Sequence, residues 1–411
     1  MLDRLRVAIR RKGVLRGLWW AIWERARGSY QPLAYGLPRY VPGLFIDRDE
    51  LERRARRAGE LSFHGSSESF VVEAPSGADP ADVAAVAGEY TLPRPFVGVL
   101  HDASLVGPYP LAVVDDRVVL DATVSPVVTL LNLVYGVGDV VSNPLGARRW
   151  TRTAALDSAV LLYNCWNGGY YHWVTETLPR LEGVQAYADR TGDRPTLIVG
   201  PDLDGYQRET LELLGYGPDD WVEWTVGRAR VDRLIVPSSP REFYTPDGEI
   251  SPRRLQWLRE EVRSRVAGRL DPEQFSRLVY ISRDDADRRQ VTNESALMDA
   301  LAPLGFERYL LAHMSAVETI TLLMHADVIV GPHGAGLTDI VFADDAAVIE
   351  LSRGPQPNTR AYRVLASQAN LRHRYVPCRV DGPDLEADVD AVVAAAKSAI
   401  DEQPLTASRE D

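Results

Sequence analysis

The sequence predicts an α/β protein built from two doubly wound, parallel-sheet domains of Rossmann type, preceded by a β-rich module and a basic amphipathic helix. Three observations carry that expectation. Strand-like and helix-like segments alternate from residue 156 to 385. A helix-like stretch over 251–270 divides this alternation in two. Before residue 156 the runs are short, β-branched and punctuated by Gly, Pro and Asp-Asp. Alternation implies parallel strands covered by helices on both faces, with ligands at the carboxyl ends of the strands.

Residues 1–29, "MLDRLRVAIRRKGVLRGLWWAIWERARGS", read as a helix with Leu15, Leu18, Trp19, Ile22 and Trp23 on one face and arginines on its flank. Tryptophan and arginine in this arrangement suit an anionic membrane surface. The other reading is a helix packed on protein, because Lys12 and Arg16 intrude on the apolar face and Gly13 interrupts it. Residues 30–155 form the β-rich module, in which "ESFVVEAP", "SLVGPYPLAVVDDRVVLDATV" and "VYGVGDVV" are the β-branched runs. Its lone histidines, His64 and His101, read as structural.

The first Rossmann-like domain spans 156–250. "SAVLLYN", "PTLIVG" and "RLIVPS" are its strands, and "YHWVTETLPRLEGVQAYADR" and "YQRETLELLGYG" its helices; Pro179 bends or ends the first helix. The linking helix follows over 251–270, then the second Rossmann-like domain over 271–385. There "RLVYISR", "FERYLLA", "VIVGP" and "AVIELS" are strands, and "NESALMDALAPLG", "SAVETITLLMHAD" and "RAYRVLASQAN" are helices. A C-terminal helix and tail occupy 386–411.

The composition narrows the class. At 411 residues, 45% hydrophobic and 25% charged, the chain reads as globular and multidomain. No apolar run reaches the length of a membrane span, and no secretory signal is legible. Cys165 and Cys378 lie too far apart in sequence to suggest a disulfide framework, so the expected compartment is a reducing cytoplasm. Of 46 basic residues only Lys12 and Lys397 are lysines, and the net charge is −12, as a salt-adapted or GC-rich source would give. That balance argues against a nucleic-acid partner. Residues 1–27 nevertheless hold eight basic side chains against Asp3 and Glu24.

Chemistry gathers at three strand ends. In "NCWNGGYYHWVTETLPRL", Gly168 and Gly169 make a turn, and His172 and Glu176 fall four apart on one helix face. They suit a general base and its orienting group. A zinc pair without an evident third ligand, or a capped helix with its aromatics in the core, are the competing readings. In "YISRDDADRRQVTNE", Arg283, Arg288 and Arg289 suit phosphate oxygens and Asn293-Glu294 starts a helix. Asp284, Asp285 and Asp287 equally allow internal salt bridges.

The third strand end is "VIVGPHGAGLTDIVF", residues 328–342. It is either a tight turn with an incidental histidine or an anion cradle. In the cradle, Gly334 and Gly336 admit phosphate to the backbone amides of Ala335, Gly336 and Leu337, and His333 donates to an oxygen. Arginines and glycine turn fall at strand ends of one domain, so a single diphosphate satisfies both. Glu350, ending the next strand, is placed to accept from ribose hydroxyls. No P-loop and no full dinucleotide fingerprint is present.

Taken in order and spacing, "YYHWVTETLPRL", "YISRDDADRRQVTNE" and "VIVGPHGAGLTDIVFADDAAVIEL" resemble the catalytic domain of glycosyltransferase family 61, over residues 90–380. The family includes xylosyl-, arabinosyl- and N-acetylglucosaminyltransferases and prokaryotic capsular-polysaccharide proteins. The resemblance implies a GT-B architecture, with 156–250 on the acceptor side and 271–385 on the nucleotide-sugar side. It implies a nucleotide-sugar donor, a UDP-sugar, with inversion at the anomeric carbon and no cofactor or bound metal. It further implies a glycan or lipid-linked glycan acceptor in cell-surface polysaccharide or glycoprotein synthesis, met at the inner face of the cell membrane. Thr338-Asp339 departs from the asparagine that the family often shows after the glycine turn. A polysaccharide pyruvyl transferase and a non-catalytic glycan-assembly protein are the two alternatives.

Overall fold

The computed structural model describes residues 41–72, 88–123, 125–142, 152–241, 249–353 and 360–402; the expected helix over 1–29 and the tail after 402 lie outside the described residues. The chain forms two compact units. One comprises Met1–Glu68, Leu92–Gln207 and Gly215–Ser251, the other Ser69–Thr91, Arg208–Leu214 and Pro252–Asp411. Numbered along the chain, the strands are β1 (Phe45–Ile46), β2 (Leu61–Phe63), β3 (Glu68–Val72), β4 (Gly88–Leu92), β5 (Phe96–Val106), β6 (Leu111–Val114), β7 (Arg117–Val119), β8 (Thr153–Leu161) and β9 (Thr196–Val199). There follow β10 (Trp221–Glu223), β11 (Arg228–Pro237), β12 (Leu278–Ile281), β13 (Glu307–Tyr309), β14 (Val328–Pro332), β15 (Ala347–Ser352), β16 (Arg372–Pro377), β17 (Arg379–Asp381) and β18 (Asp384–Glu386).

The first unit is one mixed nine-stranded sheet in the order β1-β7-β6-β5-β11-β8-β9-β10, with β2 also on β5. The boundary expected at 155 between a β-rich module and an α/β domain is therefore replaced by a continuous sheet. β5 pairs antiparallel with β11 along nearly its whole length, and β11 pairs parallel with β8. The reason is burial: β5 is buried at every position from Phe96 to Leu100, so its first half needs cover and a strand neighbour rather than an exposed edge. The β6–β7 hairpin turns at Asp115-Asp116, whose φ values of 49° and 58° are those of a type I′ turn.

A second correction concerns "VYGVGDVV", expected as a strand. It is the C-terminal half of a helix, Pro126–Ser142. Ser125 caps it by accepting from the Val128 amide at 3.0 Å, and Pro126 needs no such partner. Val127, Val128, Leu131 and Val134 are buried at helical spacing. Burial of that stripe overrides their β propensity.

The second unit contains a five-stranded, all-parallel sheet in the order β13-β12-β14-β15-β16. Relabelled along the chain this is 2-1-3-4-5, so the order reverses between β12 and β14. A crevice outside the carboxyl ends at such a reversal is where open α/β sheets bind ligands. Its core runs through Tyr280, Val328, Val330, Ile349 and Leu351, with Val392, Ala396 and Ala399 of the helix Val389–Asp401 packed beneath. Two elements here were not legible as strands: β16, and the β17–β18 hairpin with Gly382 at its turn.

Candidate functional site

In the first unit, β9 follows β8 on one side and β11 lies on its other side, all parallel, so the strand order also turns at the carboxyl end of β8. The chain leaving β8 is held by amides. Asn132 accepts from the Cys165 amide at 2.9 Å, Asn164 from the Trp166 amide at 2.8 Å, and Asn167 donates to Thr177 at 3.2 Å. The expected single helix from 171 is instead one helical turn (Tyr170–His172), a π turn (Trp173–Thr177), a 3-10 turn (Leu178–Arg180) and a regular helix (Leu181–Thr191). Pro179 has no N–H, so the ladder cannot pass through it regularly. Arg180, 1% exposed, pins this turn by donating to the Leu161 carbonyl at 2.8 Å.

The structure brings His172 and Glu176 together. His172 Nδ1 lies 2.9 Å from Glu176 Oε2, and Arg241 Nη1 lies 3.1 Å from the other oxygen, Oε1. Glu176 is 1% exposed, whereas the His172 side chain is 33% exposed. Burial pushes the Glu176 carboxyl up, but the facing His172 and Arg241 outweigh it and hold the group below the ordinary carboxylate range. Trp166 stacks on the imidazole with ring centroids 4.6 Å apart, and Tyr171 meets it edge-on at 5.4 Å. Gly169 makes room, since a Cβ there would stand 3.2 Å from the imidazole. With Nδ1 bound to Glu176, Nε2 is the ring nitrogen left to act on a substrate.

In the second unit, Arg283 follows β12 and His333 follows β14, on the two sides of the reversal. Gly334 sits under Arg283: a Cβ at 334 would fall 2.1 Å from Nη1. Its φ of 176° is ordinary extended backbone, so glycine is needed here for space and not for conformation. Arg289 has φ 61°, a left-handed conformation that costs a side chain of this kind about 1–3 kcal/mol. Its amide donates to the Pro383 carbonyl at 3.0 Å, and Arg353 Nη2 donates to that same carbonyl at 2.5 Å. The tip of the β17–β18 hairpin thus gathers two arginines.

The arginines are crowded, and although nearby Asp285 favours the charge of Arg283, they hold no ion pair among the described residues. Among the described residues no carboxylate lies within ion-pair reach of Arg283, Arg289 or Arg353, and the Nε of each is buried without a hydrogen-bond partner. Asp284, the expected internal partner, is taken by Arg308 at 3.1 Å. Burial disfavours the charged form of Arg283 and of Arg289, and Arg289 is pressed further by Arg283, Arg288 and Arg353. An anion placed among them relieves that repulsion.

Other expected ligand groups are engaged elsewhere. Glu350 is 0% exposed; its Oε1 accepts from His333 Nδ1 and its Oε2 from His373 Nε2, the latter at 2.9 Å. It is therefore not open to a ribose. Burial pushes its carboxyl up, but the two histidine bonds outweigh burial and hold it low. Glu294 accepts from Ser282 at 2.8 Å and from Arg308. Asn293 donates to the Ala387 carbonyl at 2.8 Å and accepts from its amide at 2.9 Å. Both close the fold and do not face a ligand. Of the glycine turn, Gly334, Ala335 and Gly336 stand where expected. Leu337 is buried, and its amide closes the turn onto the Gly334 carbonyl at 2.9 Å, so it is not available to a phosphate.

Sequence reasoning missed Arg241, Arg353, Tyr362 and His373. Arg241 and Arg353 lie just past carboxyl ends of strands already legible, β11 and β15, so the rule that located Arg283 would have found them. Tyr362 meets His333 edge-on at 5.0 Å from a helix whose register sequence does not show. His373 belongs to β16, where "RHRYVP" has no clean alternation. Among the described residues no three His, Cys, Asp or Glu side chains gather to hold a metal.

Parallel sheets with polar clusters at their carboxyl ends define the class, an α/β protein with candidate ligand sites at its strand ends. Residues 170–349 match the family model described as Glycosyltransferase 61, so this part of the chain is similar to that family. Over 110 residues, 25% of this chain, it is 33% identical to the EGF domain-specific O-linked N-acetylglucosamine transferase of Drosophila melanogaster. That alignment spans 20% of the length of the relative.

Proposed function

We propose that this glycosyltransferase moves a sugar from a nucleotide-sugar donor, a UDP-sugar, to a hydroxyl of a glycan or lipid-linked glycan, with inversion at the anomeric carbon. The second unit takes the donor and the first supplies the base, as in a GT-B enzyme. The observation that carries this reading is the crowding of Arg283, Arg289 and Arg353, which hold no ion pair among the described residues, with Arg283 over Gly334 at the β12/β14 reversal.

His172 Nε2 takes the proton of the acceptor hydroxyl, and Glu176, bound to Nδ1, orients the ring and stabilises the imidazolium that forms. The acceptor oxygen bonds to the anomeric carbon as the bond from that carbon to the phosphate oxygen breaks. The electron pair leaves with the nucleoside diphosphate. Arg283, Arg289, Arg353, the Nε2–H of His333 in its doubly protonated form and the amides of Ala335 and Gly336 meet the charge that builds there. Residues 1–27, with eight basic side chains and three tryptophans, support a place at the inner face of the cell membrane, where such acceptors are built.

Titration calorimetry with UDP tests the donor site. Arg283→Ala weakens binding by about 1.5–3 kcal/mol, the scale of a charge-assisted hydrogen bond. Unchanged affinity in a folded Arg283→Ala protein removes the assignment. Release of UDP from UDP-N-acetylglucosamine in the presence of acceptor glycans tests the reaction; the relative makes that sugar the first to try.

A further inference from the structure

We infer that His373 is a positioning residue for the donor site: it acts through Glu350 to hold His333 with Nε2 toward the leaving diphosphate. The inference rests on the proposed donor site and names a group that no part of that proposal requires.

Three side chains form one hydrogen-bonded chain, His333–Glu350–His373, from the residue after β14, from β15 and from β16, each histidine two residues out of register with Glu350. The carboxylate is fully buried, and each of its oxygens has one imidazole partner. His373 is itself 5% exposed, and its Nδ1 is buried with no hydrogen-bond partner. That orphan atom decides the tautomer. A proton on Nδ1 would be a buried, unsatisfied donor, so the single ring proton stays on Nε2 and is given to Glu350. His373 therefore donates through Nε2.

With His373 on Oε2, Glu350 has only Oε1 to offer, and His333 must present Nδ1–H to it. This leaves Nε2 as the ring nitrogen directed away from the carboxylate. The His333 imidazole lies edge-on to Tyr362 at 5.0 Å, which limits rotation of the ring. Without His373, a rotated carboxylate can serve His333 with either oxygen, and one buried lone-pair set is left unmet. The His333 ring then loses its fixed direction. Partners of this kind, one bond removed from the ligand, set the tautomer and aim of a functional histidine.

The test uses the full chain and two probes, inorganic pyrophosphate and UDP, by titration calorimetry, with unfolding followed in parallel. Wild type binds pyrophosphate, and Arg283→Ala weakens it; absence of both effects overturns the donor-site reading and this inference with it. Given that binding, His373→Phe keeps the ring and removes the donor, and weakens both probes about tenfold. His373→Asn, whose amide stops short of the Nε2 position, does the same and serves where the phenylalanine variant does not fold. His373→Gln restores an N–H near the Nε2 position and binds within about twofold of wild type. In a His333→Ala background, His373→Phe or His373→Asn causes no further loss, because the effect passes through His333. Wild-type affinity in the donorless variants, or the same fold-loss with and without His333, overturns the role of His373 while leaving the donor site standing.

Discussion

Glu176 and Glu350 are both fully buried carboxylates, and each is kept ionised by histidine and, for Glu176, by Arg241. A carboxylate with both oxygens taken is poorly placed to accept a proton from a substrate, which divides the roles of His172 and Glu176 between base and orienter. Asp339, also 2% exposed, is no nearer to solvent. His172→Ala therefore lowers the transfer rate about 10²–10⁴-fold with UDP affinity unchanged. Glu176→Gln lowers the rate as well, and adds nothing in the His172→Ala background, because it works through the ring. Near-wild-type turnover in both single variants places the base elsewhere. At this scale the sequence shows residue types and spacing but not partners. The i, i+4 relation of His172 and Glu176 was legible because a single turn of chain decides it. The engagement of Asn293 by Ala387 and of Glu350 by His373 was not, because those partners are 94 and 23 residues away.

Elements that alternate cleanly were legible, and elements that depend on distant cover were not. β12, β14 and β15 are buried at every or nearly every position, and their apolar runs stand out against polar loops. β16 is only partly buried except at Val376, so its place at the sheet edge comes from β15 and not from its own pattern. The helix Pro126–Ser142 was obscured in the same way by β-branched residues whose buried face decides the matter. The helix Leu181–Thr191 shows how closely such elements are fitted. Gly183 lies on its buried face, and a Cβ there would meet Pro237 Cβ at 2.8 Å and Val97 Cγ2 at 3.2 Å. Neither neighbour is a flexible side-chain end, so the gain in helix propensity from alanine does not offset the clash. Gly183→Ala lowers stability by about 1–3 kcal/mol, read as a reduced urea midpoint at unchanged slope. An unchanged or raised midpoint would show that the helix shifts away from β5 and β11 without cost.

Across the whole molecule, charge is distributed against expectation for a chain with a net −12. Residues 1–27 carry +6, leaving about −18 on the remainder. Among the described residues no helix is long and apolar enough to cross a membrane. Trp19, Trp20 and Trp23 supply apolar area to a contact with a membrane surface, and the arginines supply attraction of about 1 kcal/mol each near an anionic leaflet. Salt separates the two contributions, since it screens the arginines and not the tryptophans. The full chain therefore co-sediments with anionic vesicles at low salt and less so at high salt. A chain lacking residues 1–27 stays in the supernatant in both. Replacing the three tryptophans by alanine leaves binding at low salt and abolishes it at high salt, because only the screened attraction remains. Equal partitioning of the full and shortened chains would assign the +6 segment to a protein partner, and with it remove the reason to place the acceptor on a membrane.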